Sequence, residues 1–285
     1  IENMPKNREE FHLTSEEEVE EVVKWALASK TPLEILGRGT KRGIGHQVEA
    51  GARLHMDRLT GIIAYEPGEL VLSAWAGTPM EEIHAALGAE VQHLAFEPPD
   101  YSQVLGTQDC GTHGGTLGGA IASGFSGPRR LIAGGARDHV LGLTGVTGRG
   151  ETFKIGGRVV KNVTGYELLK LLTGSFGTLA AMTRVTVKVL PRPEATRTLE
   201  VIGLARDAGL DLLRRAAASP FSVTGAALVD ERAAGSSGCF LRVEGRADEI
   251  DVRLNTMQAH FNVEGAAIGS KASGDLWHGV RDLPA

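Results

Sequence analysis

Apolar positions near the start of the chain recur at helical intervals. Val19, Val22, Val23 and Ala26 share one face of a predicted helix over residues 15–30. Thr14 and Ser15 stand three residues before Glu17 and Glu18, which is capping-box spacing, so either one can start that helix. Beyond Pro32, residues 33–36 read as a short buried strand that runs straight into Gly37-Arg38-Gly39-Thr40-Lys41-Arg42-Gly43-Ile44-Gly45. Residues 61–66 and 70–76 read as two strands joined at Pro67-Gly68. Thr78 is the expected cap of the next helix, with Pro79 at its first position and Glu81 closing a box. Met80, Ile83, Ala86 and Leu87 form its inner face, and Gly88 ends it. Residues 96–115 hold Pro98-Pro99-Asp100 and little periodicity, the mark of a long loop.

Small residues dominate 114–127. Residues 120–123 are expected to form a helical turn whose N-terminus offers free amides to anionic oxygens. Residues 138–147 and 151–155 predict a hairpin around Gly148-Arg149-Gly150. Thr164 and Glu167 box the start of a helix reaching Gly174, with Leu168, Leu169, Leu171 and Leu172 as its core. Val185, Val187 and Val189 then alternate onto one face of a strand.

Pro191-Arg192-Pro193 breaks the pattern and marks a domain boundary after residue 192. Beyond it come a strand over 198–203, a helix over 205–218, strands over 221–229 and 240–243, and a helix over 248–261. Ile250, Leu254, Met257 and Phe261 form one stripe of the last helix. Two strand–helix units with a short hairpin predict a small antiparallel α+β module over 193–285. It reads as short of strands, so the expectation is a truncated cap and a natural chain that continues past Ala285.

Composition narrows the function classes. Hydrophobic residues are 42% and charged residues 23%, an ordinary globular balance. There is no uncharged apolar run long enough for a membrane-spanning helix. The N-terminus carries Lys6, Arg8, Glu9 and Glu10 and lacks the apolar core of a signal peptide. A net charge of −5 argues against a broad nucleic-acid footprint. Two cysteines, Cys110 and Cys239, build neither a disulfide framework nor a zinc module and fit a reducing compartment. Glycine is 38 of 285, well above the usual share, and it clusters in 37–45, 106–127, 134–157 and 174–177. Such clusters let backbone approach a ligand closely.

Hydrolytic and metal signatures are missing: His-Glu-x-x-His, Cys-x-x-Cys, the nucleophile elbow and the Walker A lysine do not occur. Cys110-x-x-His113 is two ligands short of a metal site, and Asn162-Val163-Thr164 matches a glycosylation acceptor by chance. The 37–45 loop is spaced G-x-G-x-x-x-G, with no acidic residue in the place a Rossmann dehydrogenase needs it. It still has what a diphosphate requires: glycine amides, with Lys41 and Arg42 for charge. Several such loops over 37–178 fit one extended ligand wrapped by two subdomains. FAD is one nucleotide of that shape, and the residues alone leave others open.

The order of these loops carries a resemblance. Leu36-Gly37-Arg38-Gly39-Thr40 resembles the first diphosphate loop of the flavoenzyme family typified by vanillyl-alcohol oxidase and p-cresol methylhydroxylase. Gly115-Thr116-Leu117-Gly118-Gly119-Ala120 resembles its second loop, and Arg137-Asp138-His139-Val140-Leu141-Gly142 the segment after it. Residues 156–168, Gly174-Ser175-Phe176-Gly177-Thr178-Leu179 and Ser126-Gly127-Pro128-Arg129-Arg130 resemble, within that family, the FAD-binding E subunits of bacterial glycolate oxidases. The resemblance covers residues 10–192 well and 193–285 loosely.

The resemblance implies an α+β fold. A two-subdomain PCMH-type FAD-binding domain would span 1–192, dividing near residue 57, and a ferredoxin-like cap would follow. It implies diphosphate contacts at Gly37, Arg38, Gly39, Thr40 and Lys41 and at Gly115, Thr116, Leu117, Gly118 and Gly119. It implies flavin or ribityl contacts near Pro98, Pro99, Ser123, Val140 and Gly177, with Gly127, Asp138 and Thr178 completing the set. Thr40 stands where some relatives carry the histidine that attaches flavin, so the FAD is expected to be non-covalent. Phe176 replaces a glutamate of the catalytic relatives, the metal-binding histidines of their cap have no counterpart here, and the 102–113 segment is longer than theirs. The implied activity is oxidation of glycolate or a related small 2-hydroxy acid to the 2-oxo acid. The implied partners are a catalytic flavoprotein and an iron–sulfur protein, in a cytoplasmic setting or peripheral to the inner membrane through the complex. Lys161 and Arg137 are candidates to orient an anionic substrate or the flavin's electron-rich edge, with surface or structural ion pairing the plainer role; no base is assigned. The rival readings are a flavin-holding scaffold, a nicotinamide-dependent flavin reductase of the same fold, and a Rossmann dehydrogenase.

Overall fold

The computed structural model describes residues 9–46, 48–107, 114–157, 167–229 and 238–283. The Cys110/His113 pair, Lys161, Asn162-Val163-Thr164 and the Thr164 half of the expected box lie outside them. The chain forms two compact units: residues 1–94, 98–125 and 135–190, and residues 95–97, 126–134 and 191–285.

The first unit is built on two larger sheets. In the smaller, Ala52–His55 lies between Glu9–His12 and Leu33–Leu36, and all three strands run parallel. The helix Glu16–Ser29 connects the outer two. Ser15 caps it by accepting a hydrogen bond from the Glu18 N–H at 3.2 Å, and Lys30 closes it in the left-handed region at φ 54°. Its Val19 and Val23 pack with Leu13, Leu54, Met56 and Leu59. Val146 and Ala181 from the larger sheet join the same core, so both sheets bury one apolar interior. The larger sheet is antiparallel, in the order Ile62–Glu66, Val71–Trp75, Ala180–Lys188, Val140–Thr147, Thr152–Gly156. The alternation of Val185, Val187 and Val189 places all three in the core.

Local expectations need four corrections here. Thr78 does not cap the helix Met80–Ala89; Pro79 occupies the cap position, and the Thr78 hydroxyl is drawn to Gly61, accepting from its N–H at 3.0 Å. That helix runs one residue past Gly88. The helix expected at 120–123 begins earlier, as Leu117–Ser123. In the helix Leu168–Leu172 only Leu172 is buried, while Leu168 and Leu171 face solvent. Among the described residues no helix is long and apolar enough to cross a membrane.

The second unit is a four-stranded antiparallel sheet ordered Val223–Val229, Gly238–Gly245, Ala195–Ile202, Ala266–Ile268. Taken in sequence this is the order 2-3-1-4 with helices after the first and third strands, the ferredoxin-like arrangement. The expectation of a module short of strands is corrected: its fourth strand is present but only three residues long. The helices Arg206–Ala217 and Ile250–Phe261 bury Leu212, Leu254 and Met257 against Leu199, Leu241 and Val243. A further helix, Ser270–Asp282, meets the other face of the first strand, where the Trp277 indole N–H donates to Thr198 Oγ1 at 2.8 Å.

Candidate functional site

The parallel strand Leu33–Leu36 delivers the first glycine loop to the edge of a cavity of about 810 Å³ within the first unit. The size is at the upper end of ligand pockets, which suits an extended molecule. The loop turns tightly. The Arg42 N–H donates to the Gly39 carbonyl at 3.2 Å, and that of Ile44 to the Lys41 carbonyl at 3.1 Å. The N–H groups of Arg38, Gly39, Thr40 and Lys41 find no acceptor among the described residues. Unpaired backbone donors beside a cavity call for an anionic or carbonyl oxygen.

The second glycine loop locks onto the first. A Cβ at Gly37 would stand 2.4 Å from Thr116 Oγ1, so only glycine lets the two loops meet. Gly118 sits equally tight, where a Cβ would come within 2.6 Å of the Ala76 Cβ. Thr116 caps the helix Leu117–Ser123 by accepting from the Gly119 N–H at 3.1 Å. The Leu117 and Gly118 N–H groups donate to the Thr78 and Ala76 carbonyls at 2.9 and 2.8 Å. The expected free amides at this helix start are therefore already engaged, and the cavity's open donors belong to the first loop.

Charge around the cavity is arranged in balanced pairs, with one exception. Glu34 is buried and takes Arg42 in a two-pronged ion pair at 2.7 and 3.2 Å, with Arg53 at 2.9 Å. Burial alone would raise its pKa, but the two guanidiniums outweigh it and hold the carboxyl below its usual range. Arg38 pairs with Glu81 at 3.1 Å. Lys41 makes no hydrogen bond or ion pair among the described residues; burial lowers its pKa, and the charge of Asp100 offsets only part of that. The Asp100 carboxylate is already held by the N–H groups of Ser102 and Gly114 at 3.0 and 2.8 Å. The apolar lining includes Ile35, Met56, Ala76, Ala122, Ala180 and Met182.

Of the residues singled out in the sequence, Gly37, Arg38, Gly39, Thr40, Lys41, Thr116, Gly118, Gly119, Ser123, Gly177 and Thr178 line this cavity. Gly115 stands behind them, its Cβ position 2.8 Å from Thr40 Oγ1. Leu117 and Val140 are core residues, and Pro98 and Pro99 are buried outside the lining. Gly127 belongs to the second unit, where a Cβ would meet Glu97. Asp138 caps the short helix Ala136–His139, accepting from the Gly135 N–H at 2.8 Å, and Arg137 is exposed. Sequence reading missed the roles of Glu34, Arg53 and Met56. Arg53 and Met56 reach the cavity through the parallel strand pair, a contact distant in sequence. Phe176, a departure from the family pattern, stands at φ 51° and lines the wall.

The family model described as "FAD binding domain" matches residues 10–156, just over half of the chain. The chain belongs to this FAD-binding family. Over 179 residues, 63% of its length, it is 42% identical to glycolate oxidase subunit GlcE of Escherichia coli (strain K12), covering 48% of that protein. It is 33% identical over 187 residues to a D-lactate dehydrogenase of Anaerostipes hadrus, covering 37% of it. The chain thus spans half or less of the length of these curated relatives. Its fold superimposes on p-cresol methylhydroxylase with a TM-score of 0.70 at 16% identity, over 96% of this chain and 61% of that one. The family's cofactor is FAD, and the cavity fits it: an anion cradle of backbone N–H groups with a half-buried ammonium, next to apolar walls suited to a flat ring.

Proposed function

We propose that this chain carries non-covalently bound FAD in the cavity and serves as a flavin subunit of a glycolate oxidase-type assembly. Its reaction is oxidation of glycolate, or a related 2-hydroxy acid, to the 2-oxo acid. The observation that carries this reading is the first glycine loop. It leaves four N–H groups and the Lys41 ammonium without hydrogen-bond partners among the described residues, in a chain 42% identical over 179 residues to a glycolate oxidase subunit.

In this reading the N–H groups of Arg38–Lys41 and the Lys41 ammonium hold the diphosphate. Thr116 and Gly37 keep the two loops in contact. Met56, Ala76, Ala180 and Met182 exclude water from the ring. FAD, when bound, supplies the acceptor for the hydride removed from the hydroxy acid. Thr40 stands in the first loop where attachment would need a histidine ring nitrogen, which supports dissociable FAD. The assembly would include a second flavoprotein and an iron–sulfur protein as electron acceptor.

One observation favours a relay role over direct substrate oxidation. A hydroxy acid losing hydride must also give up its hydroxyl proton, and that needs a nearby base. Among the described lining residues there is no histidine or tyrosine, and the one carboxylate, Glu34, is committed to Arg42 and Arg53.

The test is the visible spectrum of the purified chain, with FAD added if it arrives colourless, before and after denaturation. Flavin bands that leave with the supernatant are expected. A chain that neither holds nor takes up FAD sinks the reading. Anaerobic glycolate then separates the roles: bleaching of the chain alone assigns it the oxidation, and bleaching only with partner subunits assigns it the relay.

A further inference from the structure

Outside the cavity, the parallel pairing of Glu9–His12 with Ala52–His55 sets His12 directly beside His55. Their rings stack at 4.3 Å between centroids, 16° from parallel. Asp57, two residues past the strand, reaches the same point, with its Oδ1 3.7 Å from His12 Nδ1. One ligand atom from each of the three residues lies within 4.8 Å of the others. The His12 and Asp57 atoms, 3.7 Å apart, can share one ion at about 2.1 Å from each, and the two rings turn out of their stack to bring His55 onto it.

The surroundings prepare these groups. Glu10 Oε2 lies 2.5 Å from His55 Nε2, and Arg53 holds the other Glu10 oxygen at 2.9 Å. A carboxylate acceptor places the ring proton on Nε2 and leaves the Nδ1 lone pair for a metal, the arrangement in which an outer carboxylate orients a ligating histidine. His12 and Asp57 are each about 40% exposed, so an ion can enter from solvent.

We infer that His12, His55 and Asp57 form a binding site for a zinc-type divalent cation, with Glu10 orienting His55. The donor set of two imidazoles and one carboxylate selects zinc or cobalt over magnesium or calcium, which prefer oxygen ligands. The ion ties the edge strand Glu9–His12 to the centre of the parallel sheet. Sequence spacing does not show this grouping, because strand pairing is what brings the residues together. The site is independent of the flavin reading.

The test uses the full chain, metal-free, titrated with Zn²⁺ against a chromogenic chelator and with Co²⁺ followed by its visible absorption. One Zn²⁺ per chain, a tetrahedral-type Co²⁺ spectrum and a Tm that rises with Zn²⁺ are expected. Magnesium should give no shift. His12→Gln and Asp57→Asn should abolish the Co²⁺ bands, and Glu10→Gln should weaken Zn²⁺ binding roughly 10- to 100-fold. Melting curves without metal check that each variant folds. Absence of Zn²⁺ binding by the unaltered chain, or binding unchanged in folded His12→Gln and Asp57→Asn, would overturn the inference.

Discussion

Gly37 lies against Thr116 so closely that a Cβ on the glycine would stand 2.4 Å from the threonine hydroxyl oxygen. The same hydroxyl caps the helix Leu117–Ser123. One contact therefore fixes both the start of that helix and the approach of the two glycine loops. Gly37→Ala is expected to destabilise the chain by about 1–3 kcal/mol through overpacking and to weaken FAD uptake. Thr116→Ala should lose a cap worth about 1 kcal/mol. The double variant should cost less than the sum, because the second change removes the atoms the first one strikes. Denaturant midpoints of the four proteins decide this; strict additivity would mean that the loops do not touch.

Lys41 yields a prediction about pH. Burial lowers its pKa, so between its folded and unfolded values the unfolded chain binds more protons. Raising pH through that window relieves the apo fold of a buried charge. A bound diphosphate has the opposite requirement, since it needs the ammonium. FAD affinity should therefore fall as pH rises through a point below the ordinary lysine range, while apo stability does not fall on account of this group. Lys41→Met should flatten that dependence. At neutral pH it should weaken binding roughly 10- to 100-fold, because a hydrogen bond to a charged group is worth about 1.5–3 kcal/mol. Flavin fluorescence titrations across pH are the measurement.

What the sequence revealed and what it hid follow from locality. The strand Leu33–Leu36 running into a glycine loop and the alternating Val185, Val187 and Val189 are local patterns, and both are found in place. The start of the helix Leu117–Ser123 was misplaced because Gly118 and Gly119 read as loop. The Ala76 and Thr78 carbonyls, distant in sequence, hold that first turn. The strand Ala266–Ile268 is too short to show a period, and Gly274 and Gly279 dilute the helical signal of Ser270–Asp282. Leu168 and Leu171 show that apolar residues in a short helix need not be core. Seven of the expected cofactor residues, from Pro98 to Val140, lie off the cavity lining, since a motif match carries no distance.

The second unit buries a set of four charges. Arg242 grips Glu97 at 3.0 and 2.9 Å, and Arg129 grips Glu244 at 2.9 and 2.8 Å while also reaching Glu97 at 3.0 Å. Arg242 further lies over the Trp277 ring, 4.8 Å from its centroid. Without Arg242 the carboxylates of Glu97 and Glu244 must share the single Arg129 guanidinium, so Arg242→Met should cost about 3 kcal/mol. The exposed pair Arg246–Asp248 is the control: Arg246→Met should change little, because surface ion pairs are screened by solvent. Equal effects of the two substitutions in chemical denaturation would show that the buried set is not structural.

Glu244 makes the same cluster sensitive to acid. Burial would raise its pKa, but the Arg129 hydrogen bonds and the charges of Arg129 and Arg242 prevail and bring it down to about 2. A carboxyl with a depressed folded pKa stabilises the fold fully above its unfolded value, and that stability is lost as pH falls toward the folded one. The window is therefore about pH 4.5 down to about 2, and the stability at stake is about 3 kcal/mol. Glu244→Gln cannot ionise, so it should be less stable than the unaltered chain at pH 6, and the gap should close as pH falls through that window. Urea unfolding at stepped pH measures both curves. A gap that stays constant down to pH 2 would mean that Glu244 does not carry the charge assigned to it.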